Sequence, residues 1–234
     1  MRILLTVSLM ALWNCLSAQH MLIEYAFNNN GEISKCELIT LDSIAIWKEY
    51  SESTIASLPP PFCVKNYNEN VVYLNEGLFN QLFYIKDSLH SMKWELTNQK
   101  NVILNEQCFS AKTNFRGRSY TAFYAPSIAS SDGPWKFGGL PGLILAVQSD
   151  DNIFQYSAVK IISNFMGKLE KPDINKHKYI NWMEYIKTFT ATIDNYVKLV
   201  RSNGTLEDGS KAKLKITAPE IIYPKAQTGD GIEF

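Results

Sequence analysis

Ser131-Asp132-Gly133-Pro134-Trp135-Lys136-Phe137-Gly138-Gly139-Leu140-Pro141-Gly142-Leu143-Ile144-Leu145-Ala146-Val147-Gln148 is the stretch on which the fold turns. Gly138 to Gly142 holds three glycines and a proline, and an unbroken aliphatic run, Leu143 to Val147, follows at once. Glycine supplies positive φ or close backbone approach, and proline fixes φ at about −65°. The segment therefore predicts a specified turn that delivers the chain into a buried strand.

Strands extend outward on both sides. Upstream, Arg116-Gly117-Arg118 is a compact hairpin turn between predicted strands 108–115 and 118–125; downstream, 143–148 and 154–162 flank the loop Ser149-Asp150-Asp151-Asn152. Aromatics on both faces of 120–124 mark a central strand. Nearer the N-terminus, 21–27, 33–40 and 43–50 read as a hairpin meander, the first turn carrying Asn30-Gly31. Pro59-Pro60-Pro61 interrupts it, because prolines cannot sit in a central strand. Strands resume at 71–74, 82–87, 92–97 and 102–104. Met92, Trp94 and Leu96 alternate with polar residues as if one face of 92–97 were buried.

A single helix is predicted. Asn181 and Glu184 form a capping box, Asn203-Gly204 a stop, and Trp182, Tyr185, Ile186, Phe189, Ile193, Tyr196, Val197 and Val200 recur between them at helical spacing. A short strand at 211–216 and an extended tail over 218–234 complete the reading. Many short strands and one late helix give an α+β fold dominated by antiparallel sheet, with the helix packed on the sheet. Residues 19–217 are expected to form one domain.

The 234 residues are 46% hydrophobic, and 23 basic residues balance 23 acidic ones. A neutral chain without a basic cluster lacks the footprint of a nucleic-acid binder. Arg2, the apolar run from Ile3 to Trp13 and Leu16-Ser17-Ala18 read as a secretory signal peptide over 1–18, cleaved after Ala18. A lipoprotein modified at Cys15 is the rival reading. No later segment has the ~20 apolar residues of a membrane span. Export to an oxidising compartment makes one disulfide and one spare thiol the expected use of Cys36, Cys63 and Cys108, with the pairing open.

No catalytic constellation stands out. His20, His90 and His177 are scattered, the glycine-rich turn lacks a nucleophile, and no phosphate-binding loop occurs. Asp150-Asp151 and Glu207-Asp208 read as turn formers; the alternative for Asp150-Asp151-Asn152 is a weak Ca²⁺ contact, for which it offers only a few of the oxygens needed. No metal and no cofactor is expected. Arg116 and Arg118 are candidates to clamp a carboxylate or phosphate. Trp135, Lys136 and Phe137, two aromatics around a cation, are candidates to line a groove or an exposed partner contact; the competing reading is that Trp135 and Phe137 plug the core.

Two runs carry a resemblance: Arg116 to Tyr124, and Gly133-Pro134-Trp135-Lys136-Phe137-Gly138 continuing into Gly139-Leu140-Pro141-Gly142-Leu143-Ile144. Together with Cys108 and Ala111 they resemble the GLPGLI family of exported proteins of Gram-negative bacteria. The resemblance covers roughly 94–162, with a mild departure at Ala129-Ser130-Ser131-Asp132. It brings no reaction and no catalytic residues. It implies an envelope location, association with TonB-dependent outer-membrane transporters, and a strongly curved sheet like the half-barrels of periplasmic lipoprotein carriers. The function expected is non-catalytic binding of an apolar ligand or peptide. Alternatives are a structural envelope protein whose Gly139–Ile144 bend meets a partner, and a hydrolase using Cys108.

Overall fold

The computed structural model describes residues 20–50, 59–89, 92–167, 171–202 and 213–234. The signal peptide, Cys15, His90, the Asn203-Gly204 stop and Glu207-Asp208 lie outside the described residues. Eleven strands run in order: β1 (Met21–Asn29), β2 (Glu32–Thr40), β3 (Ile44–Tyr50), β4 (Phe62–Asn66), β5 (Val71–Leu78), β6 (Gln81–Ser88), β7 (Glu95–Ile103), β8 (Glu106–Phe115), β9 (Arg118–Ala125), β10 (Leu143–Ser149) and β11 (Phe154–Ser163). Then come β12 (Ile180–Asn181), the helix α1 (Trp182–Ser202), β13 (Lys213–Leu214), the one-turn α2 (Pro224–Gln227) and β14 (Ile232–Glu233).

Twelve strands form one sheet in the order β12-β6-β5-β4-β3-β2-β1-β11-β10-β9-β8-β7, antiparallel throughout except that β12 lies parallel to β6. The ends do not join, so the sheet is open. Its registers follow from turn chemistry. Asn30 and Gly31 have φ of 51° and 98°, and Arg116 and Gly117 have φ of 47° and 85°. Positive φ at both central residues is the type I′ geometry that matches strand twist, and it closes the β1–β2 and β8–β9 hairpins.

Strand alternation then decides what is buried. Met21, Ile23, Tyr25 and Phe27 of β1 face the core, as do Cys36 and Leu38 of β2, Ala45 and Trp47 of β3, and Phe154, Tyr156 and Ala158 of β11. Helix α1 covers part of this face with Tyr185, Phe189, Ile193 and Val197. Its N-terminus has the expected capping box: Glu184 N donates to Asn181 Oδ1 at 2.9 Å, and Asn181 N donates to Glu184 Oε2 at 3.0 Å.

Three expectations change. Residues 92–97 are strand only from Glu95: Met92 and Trp94, ahead of β7, are half-buried against the core as the alternation predicts, but β7 runs to Ile103 at the sheet edge and leaves Leu96 64% exposed. An edge strand has one neighbour and little to cover it, so the alternation finds no core at Leu96. A strand also forms directly after the prolines, as β4, because Pro61 stands ahead of the ladder and not within it. Finally, residues 218–234 are not an extended tail. The segment folds back, carries α2, pairs β14 with β13, and buries Glu220, Ala226 and Gln227. Gln227 holds the bend by accepting from Ile222 N and Tyr223 N and donating to Glu220 O.

Candidate functional site

The Gly-Pro segment is a tightly tied corner. Lys65 on β4 is almost fully buried, and its Nζ donates to Asp132 Oδ1 (3.3 Å), Gly133 O (2.7 Å) and Phe137 O (2.5 Å). Tyr67 donates to the same carboxylate, Trp94 Nε1 donates to Gly138 O at 2.9 Å, and Tyr25 donates to Ile144 O at 2.7 Å. Gly142 has φ of 153°, and a Cβ there would stand 2.4 Å from Ala125 O. Only glycine fits that approach. The Gly139–Ile144 motif is thus a backbone device whose aliphatic half, Leu143 and Ile144, is fully buried.

The residues predicted to bind are brought together around this corner; Arg118, Trp135, Lys136 and Phe137 are buried and Arg116 is half-buried. Trp135 (3% exposed) and Phe137 (0%) plug the core, packing edge-on to each other with centroids 5.4 Å apart. They are therefore not an exposed contact: the apolar rings gain more from the aromatic cluster of Tyr120, Tyr156 and Phe115 than from the surface. Lys136 and Arg116 meet two carboxylates. Arg116 makes a bidentate pair with Asp87 (2.7 and 2.8 Å) and reaches Glu220 at 2.5 Å; Lys136 reaches Glu220 at 2.8 Å and Asp87 at 3.2 Å. Trp182 at the start of α1 lies under both cations, 3.6 Å from the Arg116 guanidinium carbon and 4.5 Å from Lys136 Nζ. Burial works against ionising Asp87, but hydrogen bonds from Arg116 and the charge of Lys136 hold its carboxyl below the usual value. Arg118 pairs with Asp151 and donates to the carbonyls of Ala218 and Pro219. Arg116 and Arg118 do clamp carboxylates, but the chain's own. Their partners pin the C-terminal segment to the β8–β9 hairpin.

A different place is open. A cavity of about 200 Å³ lies beside Trp135, between the core face of the sheet, α1 and residues 216–219. Phe27, Trp47, Phe154, Tyr156, Tyr185 and Phe189 stand in its wall. Trp135 reaches it with φ of 48°, a left-handed conformation a bulky residue rarely adopts. Two carboxylic acids, Glu49 of β3 and Glu76 of β5, line the same space. Strand period puts them there: Glu76 stands between Leu74 and Leu78 on the core face, and Glu49 follows Trp47 by two. No salt bridge reaches either among the described residues. Ser34 donates to Glu49 at 2.9 Å. Burial pushes the Glu76 carboxyl up to about 7, and burial raises Glu49 as well. Two further groups in the wall lack a partner, Trp47 Nε1 and Asn29 Oδ1. The site offers an aromatic lining and two acids that burial biases toward their neutral form, with an unpaired donor and an unpaired acceptor buried behind that lining.

None of those four polar residues stood out as a candidate in sequence. The signal was present: a glutamate in phase with Val72, Leu74 and Leu78 breaks an apolar face, which is costly without a purpose.

Other candidates resolve simply. Cys36, Cys63 and Cys108 are buried free thiols, which corrects the expected disulfide. They stand on β2, β4 and β8, and Cys36 pairs with Tyr25 and Glu49 while Cys63 pairs with Trp47 and Leu74, so no two are cross-strand neighbours. Burial raises the Cys108 thiol and favours its unreactive form. Asp150 and Asp151 serve the hairpin loop through Thr121, Ser149 and Arg118. His177 stacks on Tyr84 at 3.7 Å, and His20 lies 3.6 Å from Asp42. Among the described residues, no three His, Cys, Asp or Glu are grouped to hold a metal ion. No described helix is long and apolar enough to cross a membrane.

No protein-family model and no curated protein matches the chain. Among solved structures, PNGF-II in C2 and P21 space groups is similar over 74% of this chain, at 18% and 16% identity with TM-scores of 0.55 and 0.53. The chain spans about a third (33%) of the PNGF-II chain. That likeness is one of fold alone. MucB in complex with MucA(peri) matches at 9% identity over 67% of this chain and 55% of that one, with a TM-score of 0.38, too low to carry an argument.

Proposed function

We propose that this chain is a non-catalytic binding protein of the cell envelope that holds a small molecule in the cavity beneath α1. The observation that carries this is the cavity's unsatisfied polar lining. Glu49 and Glu76, both half-buried, line an aromatic cavity without a protein counter-ion, and Trp47 Nε1 and Asn29 Oδ1 are buried behind the same wall without a partner, an arrangement that costs stability unless a ligand completes it. At about 200 Å³ the space is smaller than the ~300–1,000 Å³ of drug-sized sites, so the occupant is a small molecule and not a lipid chain or a folded peptide.

The proposal includes a strongly curved, half-barrel sheet around the cavity. In support, Asp87 of β6 meets Arg116 of the β8–β9 turn at 2.7 Å, although seven strands separate β6 from β9 in the sheet order. At about 4.8 Å per strand, eight steps across a flat sheet would hold them roughly 38 Å apart. An envelope location and an accessory role beside a TonB-dependent transporter belong to the same proposal, supported by the leader-like N-terminus and the Gly139–Ile144 resemblance.

The test is native mass spectrometry of protein isolated from its own periplasm. A bound small mass is expected, and Ala218→Trp, which adds an indole to the cavity wall, should abolish it. A clean unliganded mass for the wild type would overturn the reading.

A further inference from the structure

Elsewhere in the described core, each buried cation meets carboxylates and each buried carboxylate meets a cation. Lys65 has Asp132, while Lys136 and Arg116 share Asp87 and Glu220. The cavity differs: Glu49 and Glu76, both half-buried, share an aromatic space with no salt-bridge partner. Lys136, whose charge acts on Glu76, is already committed to Asp87 and Glu220. The missing partner is a positive charge.

We propose that the cavity binds a small organic ammonium ion that also carries a hydroxyl or carbonyl oxygen. Glu76 and Glu49 supply the counter-charge, and the faces of Trp47, Trp135, Tyr156 and Phe189 surround the ammonium as an aromatic cage. Trp47 Nε1 and Asn29 Oδ1, unpartnered and shut off from the cavity, become donor to the ligand oxygen and acceptor from it when their side chains shift on binding. A divalent metal is disfavoured, because Ca²⁺ needs six to eight oxygens and an aromatic box does not provide them. This inference deepens the binding function above and depends on it.

Binding has a proton signature. Glu76 senses Glu49 from β3, Lys136 from the Gly-Pro corner and Glu220 from the C-terminal segment, and its charge acts on Tyr156 of β11 and Tyr185 of α1. In the empty site its carboxyl titrates at about 7, so below that pH the cation must displace a proton before it gains a counter-charge. Ammonium affinity therefore rises as pH rises through 7.

The experiment titrates the mature chain with choline and with its uncharged carbon isostere, in which a tert-butyl group replaces trimethylammonium. Calorimetry and tryptophan fluorescence provide the readouts, at pH 6 and pH 8. Choline should bind saturably, about tenfold tighter than the isostere at pH 8, and should lose most of that advantage at pH 6. Glu76→Gln, nearly isosteric, should cut that preference at pH 8 several-fold, leaving only what Glu49 and the aromatic rings supply. Trp47→Phe should weaken both, since both carry the hydroxyl, and choline the more, since the cage loses its indole. Equal affinity for the two ligands in the wild type, a preference left unchanged by Glu76→Gln, or no saturable choline binding would each overturn the inference. If native mass spectrometry finds a bound neutral molecule while choline fails, this inference falls and the binding function stands.

Discussion

Charged side chains enter this core in two regions, and the two are built on opposite terms. At the corner, Lys65, Lys136 and Arg116 are each matched by carboxylates within 3.3 Å, and Lys65 is matched further by two backbone carbonyls. At the cavity, Glu49 and Glu76 meet aromatic rings, and no cation joins them. The corner is complete and tolerates no ligand; the cavity is incomplete and asks for one. A buried ion pair is expensive to break because the survivor is stranded, whereas an unpaired acid escapes by keeping its proton. The two regions should therefore respond to mutation and pH in different ways.

The largest effect is expected at the corner. Lys65→Met keeps the stem of the side chain but leaves Asp132, itself 5% exposed, without its cation and strands two carbonyls. A loss of about 4 kcal/mol is expected, seen as a melting temperature lowered by about 10 °C. A loss below about 1 kcal/mol would mean that the corner is not held by its buried lysine. Gly142→Ala follows, at about 3 kcal/mol, because its Cβ would sit 2.4 Å from a backbone oxygen with no flexible neighbour to yield. Gly31→Ala is the control. It also has positive φ, but nothing lies within 4 Å of the added carbon, so about 1 kcal/mol is expected from backbone strain alone. Equal losses at the two glycines would remove the steric argument for the motif.

Much of the corner was legible in sequence, because glycine and proline state backbone requirements directly. The Asn181 capping box and the two I′ hairpins were legible for the same reason. The role of Arg116 and Lys136 was not, since their partners Asp87 and Glu220 lie 29 and 84 residues away and only the fold joins them. Trp135 and Phe137 could equally have been surface aromatics, as local sequence carries no sign of which face of a turn is covered. The cavity was hidden for a subtler reason. The strand of Glu76 was read as ending at Leu74, so its carboxylate fell just beyond the alternation that would have placed it inside.

The cavity should declare itself through pH. Glu76 titrates at about 7 in the fold and near its ordinary value of 4.5 when unfolded. A raised acid adds stability below its unfolded value and loses it as pH climbs through the folded one. Unliganded protein should therefore lose about 2–3 kcal/mol between pH 4.5 and pH 8, measured by urea unfolding. Glu76→Gln should flatten the curve and exceed the wild type at pH 8. A wild-type curve that rises with pH over this window would show that Glu76 is paired after all, and the contrast between the two regions would collapse.

The smallest effect concerns the thiols, and it separates the regions without disturbing either. Cys63 shares the core face of β4 with Lys65, and burial carries its thiol up to about 12 although Lys65 and Lys136 pull it down. Cys36 stands opposite Glu49 in the β2–β3 register; burial and that carboxylate both raise it, further than Cys63. Neither forms thiolate at pH 8, so alkylation of the native chain should proceed only as fast as the core opens. Three thiols should titrate at once in denaturant without reductant in the chain cleaved after Ala18, and none should react within minutes in buffer. A single thiol after denaturation would reveal a disulfide, and since no two of these cysteines are cross-strand neighbours, forming one would require a register other than the β2–β3–β4 pairing on which both regions depend.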